Sequence, residues 1–299
     1  MERDGEARKW RFMRGLTLCL IAVPCRMLAI LFYILLVLSV WILSRYVVFF
    51  VATFRSGHLP WIRRQCGGLM YPTLRSFVTA MWAEMMLIPL FIAHLFRKKG
   101  VKESGPPVVM VHGLYHNASA WVIMKRRLAK AGFFNLHTYQ YNSFTKDFTN
   151  ATTGLSAKLD ELVAEYPHEK IILIGHSLGG MVCRRVAGYG RYRHRIGCLV
   201  TLGTPHHGST LARFGGNRMA RDLIPGRAIP QAVEDMPDPD CPRLAIYSLV
   251  DDFVFPLPML QPARDGWREQ VCSPMGHVWM LCSREVAEMV VGFLRGNVR

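Results

Sequence analysis

The chain has 299 residues, 51% of them hydrophobic, and carries 37 Lys and Arg against 21 Asp and Glu, a formal net charge of +16. That apolar content excludes a disordered chain, and 8 cysteines spread over this length exclude a small disulfide scaffold. The charge is unevenly placed: residues 1–104 hold 15 basic and 5 acidic side chains, and residues 105–299 hold 22 and 16. Basic residues flanking apolar runs point to a membrane before nucleic acid, so a bilayer is the expected partner and nucleic acid is not.

The first element is a run of 18 uncharged residues from Met27 to Ser44, bounded by Arg26 and Arg45. A helix needs roughly 20 apolar residues to cross the ~30 Å hydrocarbon layer, and about 17 suffice. The apolar character continues beyond Arg45 through Phe54, so a membrane helix over about residues 27–50 is expected. Arg45 would then snorkel to a headgroup layer or sit in a long, tilted helix. A cleavable leader fits poorly, because the run is long, starts late and lacks a prompt small-x-small site.

The second apolar segment, about residues 77–96, is closed by Arg97, Lys98 and Lys99 and contains Glu84 and Pro89. A carboxylate within such a helix is costly in lipid and is usually paired or functional. This segment reads as a second span, an interfacial helix, or a helix covering the domain that follows. The link from Arg55 to Ser76, with Gly57, Pro60, Gly67, Gly68 and Pro72, reads as a loop. With two spans the positive-inside rule leaves the C-terminal part cytoplasmic; with one it puts that part outside.

From Pro106 onward the pattern alternates. Val108 to Val111, Phe134 to Tyr141, Lys170 to Ile174, Ile196 to Leu202 and Leu244 to Val250 read as strands. Ala118 to Ala131, Thr153 to Tyr166, Met181 to Ala187 and Ser283 to Leu294 read as helices, with apolar residues recurring every three or four positions. Apolar strands alternating with helices imply a mainly parallel sheet covered on both faces. Residues 1–104 therefore form an anchoring region and 105–299 a catalytic domain, interrupted by an irregular, lid-like insertion over 205–242.

The sharpest motif is Gly175-His176-Ser177-Leu178-Gly179, placed between an apolar strand and a helix as a nucleophile elbow requires. The tight turn lifts the serine oxygen clear of the sheet, and the helix N-terminus directs N–H groups at a developing oxyanion. A serine hydroxyl is a weak nucleophile and needs a base, which in turn needs an orienting acid. The chain order on such a fold is Ser, acid, His. His277 is the one histidine that follows both Ser177 and the last long strand, which makes it the base. The strand Leu244 to Val250 delivers Asp251 and Asp252. Asp251 is the choice, as the first residue past the strand in an S-x-x-D-x-x-V spacing. Asp252 is expected to cap the turn or face solvent, and Asp235 and Asp265 are remote. The oxyanion hole is expected from the N–H groups of Leu178 and of Leu114, in the loop after the first strand. His112 beneath it reads as a structural hydrogen-bonding residue.

These residues carry a resemblance. VHGL with Trp121, then GHSLGG, LGTPHHGS over Leu202 to Ser209, S-x-x-D and Gly276-His277 together resemble the bacterial lipase and esterase branch of the α/β-hydrolase superfamily, and are similar also to deacylases of lipid anchors. The resemblance covers about Pro107 to Leu294. It implies the α/β-hydrolase fold with a lid insertion, preceded here by one or two transmembrane helices. It also implies ester hydrolysis through an acyl-enzyme, without cofactor, on acyl-ester or lipid substrates. An acyltransferase or thioesterase with the same triad is the alternative, as is a non-catalytic membrane protein retaining the fold. The expected location is a membrane, the bacterial inner membrane by this resemblance.

Thr210 to Met236 includes Leu211, Phe214, Met219, Leu223, Ile224 and Ile229, enough apolar surface either for a lid or for packing on the core. Arg213, Arg218, Arg221 and Arg227 in that stretch would meet lipid phosphates or form a solvated face. Asp235, Asp238 and Asp240 read as a polar loop, no C-x-x-C occurs, and no metal site is expected. Cys241 and Cys272 would be free to pair only in an exported domain.

Overall fold

The computed structural model describes the backbone of residues 2–94 and 104–298, and the side chains of residues 26–86 and 104–298. The basic stretch Arg97 to Lys102 lies outside the described residues. Three helices come first: α1 (Glu2–Arg55), α2 (Leu59–Gln65) and α3 (Met70–His94). The chain divides into two compact units, Met1–Ser44 and Arg45–Arg299, a boundary well before residue 104. Among the described residues, Arg26–Arg55 is the stretch long and apolar enough to cross a membrane.

Six strands form one parallel sheet: β1 (Val108–Val111), β2 (Leu136–Tyr139), β3 (Ile171–His176), β4 (Ile196–Leu202), β5 (Arg243–Ser248) and β6 (Trp267–Cys272), in the order β2-β1-β3-β4-β5-β6. The helices between them are α4 (Val122–Lys130), α5 (Phe148–Glu165), α6 (Leu178–Ala187), α7 (Arg218–Asp222) and α8 (Ala228–Glu234), with α9 (Arg284–Asn297) closing the chain. Alternate strand residues point to opposite faces, and both faces are buried. Val108, Met110, Ile172 and Ile174 share one core with α4 and α9. Val109, Val111, Ile171 and Leu173 share the other with α5 and α6. Truncating such a side chain to alanine typically costs about 2–5 kcal/mol.

Three expectations change. The link after α1 holds α2 and the first turns of α3, because Pro60 stands in the first turn of α2, where its missing N–H costs nothing. β6 was not legible as a strand: it reads WREQVC and is largely exposed, as an outermost strand allows. The insertion is not irregular throughout, since it contains α7 and α8.

α3 has two different faces. Ser76, Ala80 and Ala83 are buried, and Ala83 joins the core beside β1 and α9. Tyr71, Leu74, Val78 and Trp82 point outward. The small side chains let the helix axis approach closely: a Cβ added at Gly276 would stand 2.7 Å from the Ala80 Cβ.

All six strands run the same way, so the loops at their C-terminal ends collect along one edge of the sheet. Val111 is level with Gly175, His176 with Leu202, Leu202 with Ile246, and Ser248 with Cys272. This edge is where open α/β sheets bind ligands.

Candidate active site

β3 is buried throughout and ends at His176, and α6 begins at Leu178. Ser177 between them takes φ 54° and ψ −129°, a sparsely populated conformation for a residue with a Cβ. Its N–H donates to the Leu202 carbonyl over 2.9 Å and its carbonyl accepts from Gly180 N–H at 2.9 Å, so both flanks of the turn are fixed. Gly175 and Gly180 make the turn possible, because a Cβ at Gly175 would collide with the Gly180 backbone. The loop leaving β1 comes against the serine: a Cβ at Gly113 would lie 2.7 Å from the Ser177 Cβ and 3.3 Å from its Oγ. Leu114 is the next residue in this loop, and Leu178, which follows Ser177 directly, is the first residue of α6.

The loops after β5 and β6 bring Asp251 and His277 together. His277 Nδ1 lies 2.7 Å from Asp251 Oδ2, with both side chains buried. The other carboxylate oxygen of Asp251 accepts the N–H groups of Phe253 and Val254, each at 2.8 Å. Both oxygens are therefore occupied, which fixes the carboxylate plane and assigns the Nδ1 proton of His277. His277 packs near the Ser177 turn, its ring centroid 4.6 Å from that of His176, whose Nε2 lies 3.2 Å from the His277 carbonyl.

The other buried histidines are held neutral. Burial lowers His112 to about 4 and takes His176 well below its ordinary value. His112 Nδ1 donates to the Gly113 carbonyl at 2.9 Å and Nε2 accepts from Tyr141 N–H at 3.3 Å. Its ring stacks on Tyr141 at 4.4 Å. The neutral imidazole thus braces the loop that carries Gly113 and Leu114. Tyr115 next to them has φ 59° and donates its N–H to Ser143 Oγ at 2.8 Å and its hydroxyl to Asn217 Oδ1 at 3.0 Å. Tyr115 and Phe144 are exposed aromatic residues at this corner, their ring centroids 5.2 Å apart.

The sequence reading missed the surroundings of His277. Of the two expectations for Asp252, facing solvent does not hold: it is fully buried, and its Oδ1 accepts the His277 N–H at 2.8 Å. Its Oδ2 lies 2.8 Å from an Arg45 guanidinium nitrogen, and the same nitrogen lies 2.6 Å from Glu84 Oε1. Arg45 therefore does not snorkel; it is buried between two carboxylates. From α3, Thr79 Oγ1 accepts the Gly276 N–H at 2.9 Å and Ser76 Oγ donates to the Val250 carbonyl at 3.0 Å. A carboxylate in one apolar helix and an arginine in another were the available signal.

In the insertion, Met219, Leu223 and Ile229 are buried in the α5–α6 core, whereas Phe214 stays exposed. Arg213, Arg218, Arg221 and Arg227 are exposed, and Arg218 pairs with Asp222 at 3.5 Å. Asp238 lies 3.4 Å from Arg184 and accepts from Trp267 Nε1 at 2.9 Å. Cys241 and Cys272 are free thiols.

Residues 106–223 match the family model of the alpha/beta hydrolase fold. A stretch of 125 residues is 28% identical to a GPI inositol-deacylase of Candida albicans, covering 34% of this chain. The chain spans 31% of that relative's length. Among solved structures it is similar to the mature form of Bacillus licheniformis lipase BlEst2, with a TM-score of 0.54 and 20% identity over 67% of this chain and 96% of that one. The propeptide form of the same lipase gives a TM-score of 0.54 and 20% identity over 68% of this chain and 53% of that one. The parallel sheet, its flanking helices and these matches agree: the chain has the α/β-hydrolase fold.

Proposed function

We propose that this protein is a serine hydrolase that cleaves carboxylic esters of lipids through an acyl-enzyme and is anchored in a membrane by the Arg26–Arg55 helix. The observation that carries the reading is the 2.7 Å contact of Asp251 with His277, set beside a serine in an elbow conformation. His277 Nε2 takes the Ser177 proton as Oγ attacks the ester carbonyl carbon. The resulting oxyanion is met by the N–H groups of Leu114 and Leu178. Collapse breaks the acyl C–O bond, and Nε2 returns the proton to the leaving alcohol. A water molecule then repeats the sequence on the acyl-serine, releasing the acid and restoring the hydroxyl. Asp251 holds the Nδ1 proton throughout and steadies the imidazolium.

Two observations support a lipid ester. A stretch of 125 residues is 28% identical to a GPI inositol-deacylase. Tyr115 and Phe144 offer exposed aromatic surface beside the loop that carries Leu114. The apolar helix would tether the enzyme to a bilayer that holds such a substrate.

The test is hydrolysis of p-nitrophenyl butyrate by the full chain in detergent. Ser177→Ala is expected to lose at least about 10³-fold in kcat, as triad removals do. Equal rates in the two proteins would refute the assignment. Trapping of the wild type, and not of the variant, by a fluorophosphonate probe would report the nucleophile independently.

A further inference from the structure

His277 is held by more than Asp251. Its backbone N–H donates to Asp252 Oδ1 at 2.8 Å, so the second aspartate sets the position of the loop while the first sets the ring. Asp252 has no solvent to stabilise its charge, being fully buried, and its other oxygen meets Arg45 at 2.8 Å. Arg45 is 1% exposed, and the nitrogen that meets Asp252 also meets Glu84 at 2.6 Å. The guanidinium carbon also lies 4.3 Å from the centre of the Phe253 ring, and Phe253 in turn packs 5.2 Å from the His277 ring. One side chain of α1 thus touches both supports of the histidine, one under its backbone and one against its imidazole.

A buried ion pair of this kind is poor evidence of extra stability, because desolvation offsets the attraction. What such a pair supplies is position and charge balance. Two adjacent carboxylates hold His277, Asp251 at its ring and Asp252 at its main chain, and Arg45 is the cation beside the second, shared with Glu84. Resting on the serine-hydrolase reading above, we propose that Arg45 and Asp252 are positioning residues for the base His277, so that the helix carrying the apolar anchor also sets the base's geometry and protonation range. Arg45 fixes the Asp252 carboxylate, Asp252 fixes the His277 main chain, and Phe253 transmits the same constraint to the ring.

Among the described residues, the charged and titratable groups around His277 and its supports include Glu84 of α3, against Arg45, and Tyr46 of α1, near Asp252. Asp251 and Asp252 come from the loop after β5, and Arg45 comes from α1 through Asp252. His176 at the end of β3 is neutral through burial, and desolvation likewise keeps His116, after β1, neutral. From α3 the contacts to this loop are the uncharged Thr79 and Ala80. Removing the Arg45 charge leaves Asp252 and Glu84 without their shared cation, and the added negative charge stabilises the imidazolium. The base then becomes available only at higher pH. Removing the Asp252 charge alone does the reverse.

The experiment measures kcat/KM for p-nitrophenyl butyrate against pH, with the full chain in detergent, for Arg45→Met, Asp252→Asn, the double variant and Arg45→Lys. Asp252→Asn keeps an oxygen to accept the His277 N–H, so it isolates charge from geometry. The acidic limb is expected to move up by roughly half a pH unit or more in Arg45→Met, down in Asp252→Asn, and back near wild type in the double variant. Arg45→Met is expected to lower kcat at least about 30-fold with KM within about 3-fold, since base placement acts on the transition state. Arg45→Lys is expected to recover part of that loss.

Acidic limbs that coincide in all four variants, or an Arg45→Met loss that falls entirely on KM, would overturn the inference. If Arg45→Met does not fold, the downward shift in Asp252→Asn decides alone, and its absence overturns the inference equally. Ser177→Ala in the same assay separates the two levels. A fully active Ser177→Ala removes the hydrolase reading itself, whereas an inactive Ser177→Ala with unmoved limbs removes only the role of Arg45 and Asp252.

Discussion

Gly113 approaches Ser177 so closely that a methyl group on its Cα would stand 2.7 Å from the serine Cβ. Leu114, whose N–H is assigned to the oxyanion, is the next residue along this loop. Gly113→Ala must therefore push the loop away from the nucleophile. Because an ångström of misplacement can cost about 10²-fold, kcat/KM for p-nitrophenyl butyrate is expected to fall between roughly 10- and 100-fold. Circular dichroism should show an unchanged fold, and a fully active variant would contradict the placement of the hole.

The positive φ of Ser177 stores backbone strain. Ser177→Gly relieves it and Ser177→Ala does not, so the glycine variant is expected to be the more stable of two inactive proteins by about 1 kcal/mol. Thermal or urea denaturation of the pair measures this. A less stable glycine variant would mean the turn is not strained.

Acid should destabilise the fold through its neutral histidines. His112 has its pKa lowered to about 4 by burial, against an ordinary value near 6.5. The unfolded chain takes up this proton first as pH falls, so the stabilisation is complete above about pH 6.5 and lost on the way to pH 4. His176, also lowered by burial, adds in the same direction. Unfolding free energy is expected to drop by a few kcal/mol across that window, and His112→Gln should flatten the slope. An unaltered slope in His112→Gln would show that other groups dominate.

The insertion should respond in two ways. Met219 and Leu223 are buried with α5 and α6, so Met219→Ala or Leu223→Ala is expected to cost about 2–5 kcal/mol of stability. Phe214 is 71% exposed, so Phe214→Ser should leave Tm nearly unchanged while raising KM for long-chain esters more than for short ones. Equal effects on both chain lengths would remove Phe214 from the acyl-binding surface.

What the sequence could show follows from how local each signal is. An elbow serine is written in five consecutive residues, and the order of strands then narrows the acid and base to a few positions. Asp252 was misjudged because its partners come from α1 and α3, outside the strand–helix pattern. α3 itself is apolar on nearly every side, and hydropathy does not distinguish a face meeting lipid from one meeting protein. Its buried face is the polar and small one, Ser76, Ala80 and Ala83. β6 escaped notice for the opposite reason: Arg268 and Glu269 interrupt any apolar run, as an outermost strand permits.

The hydrogen bonds from Ser76 and Thr79 have a practical and an evolutionary consequence. The chain from Gly105 onward contains the whole sheet and all the residues of the proposed triad, and would pass for a complete enzyme. Cut there, it would lose Arg45, Ser76, Thr79 and Glu84 together, and with them the supports of both loops that carry Asp251 and His277. A soluble version is better sought by trimming up to Ser44, where the compact unit begins. For the same reason the segment from Arg45 to Glu84 is not a free module: a change there must also suit the histidine.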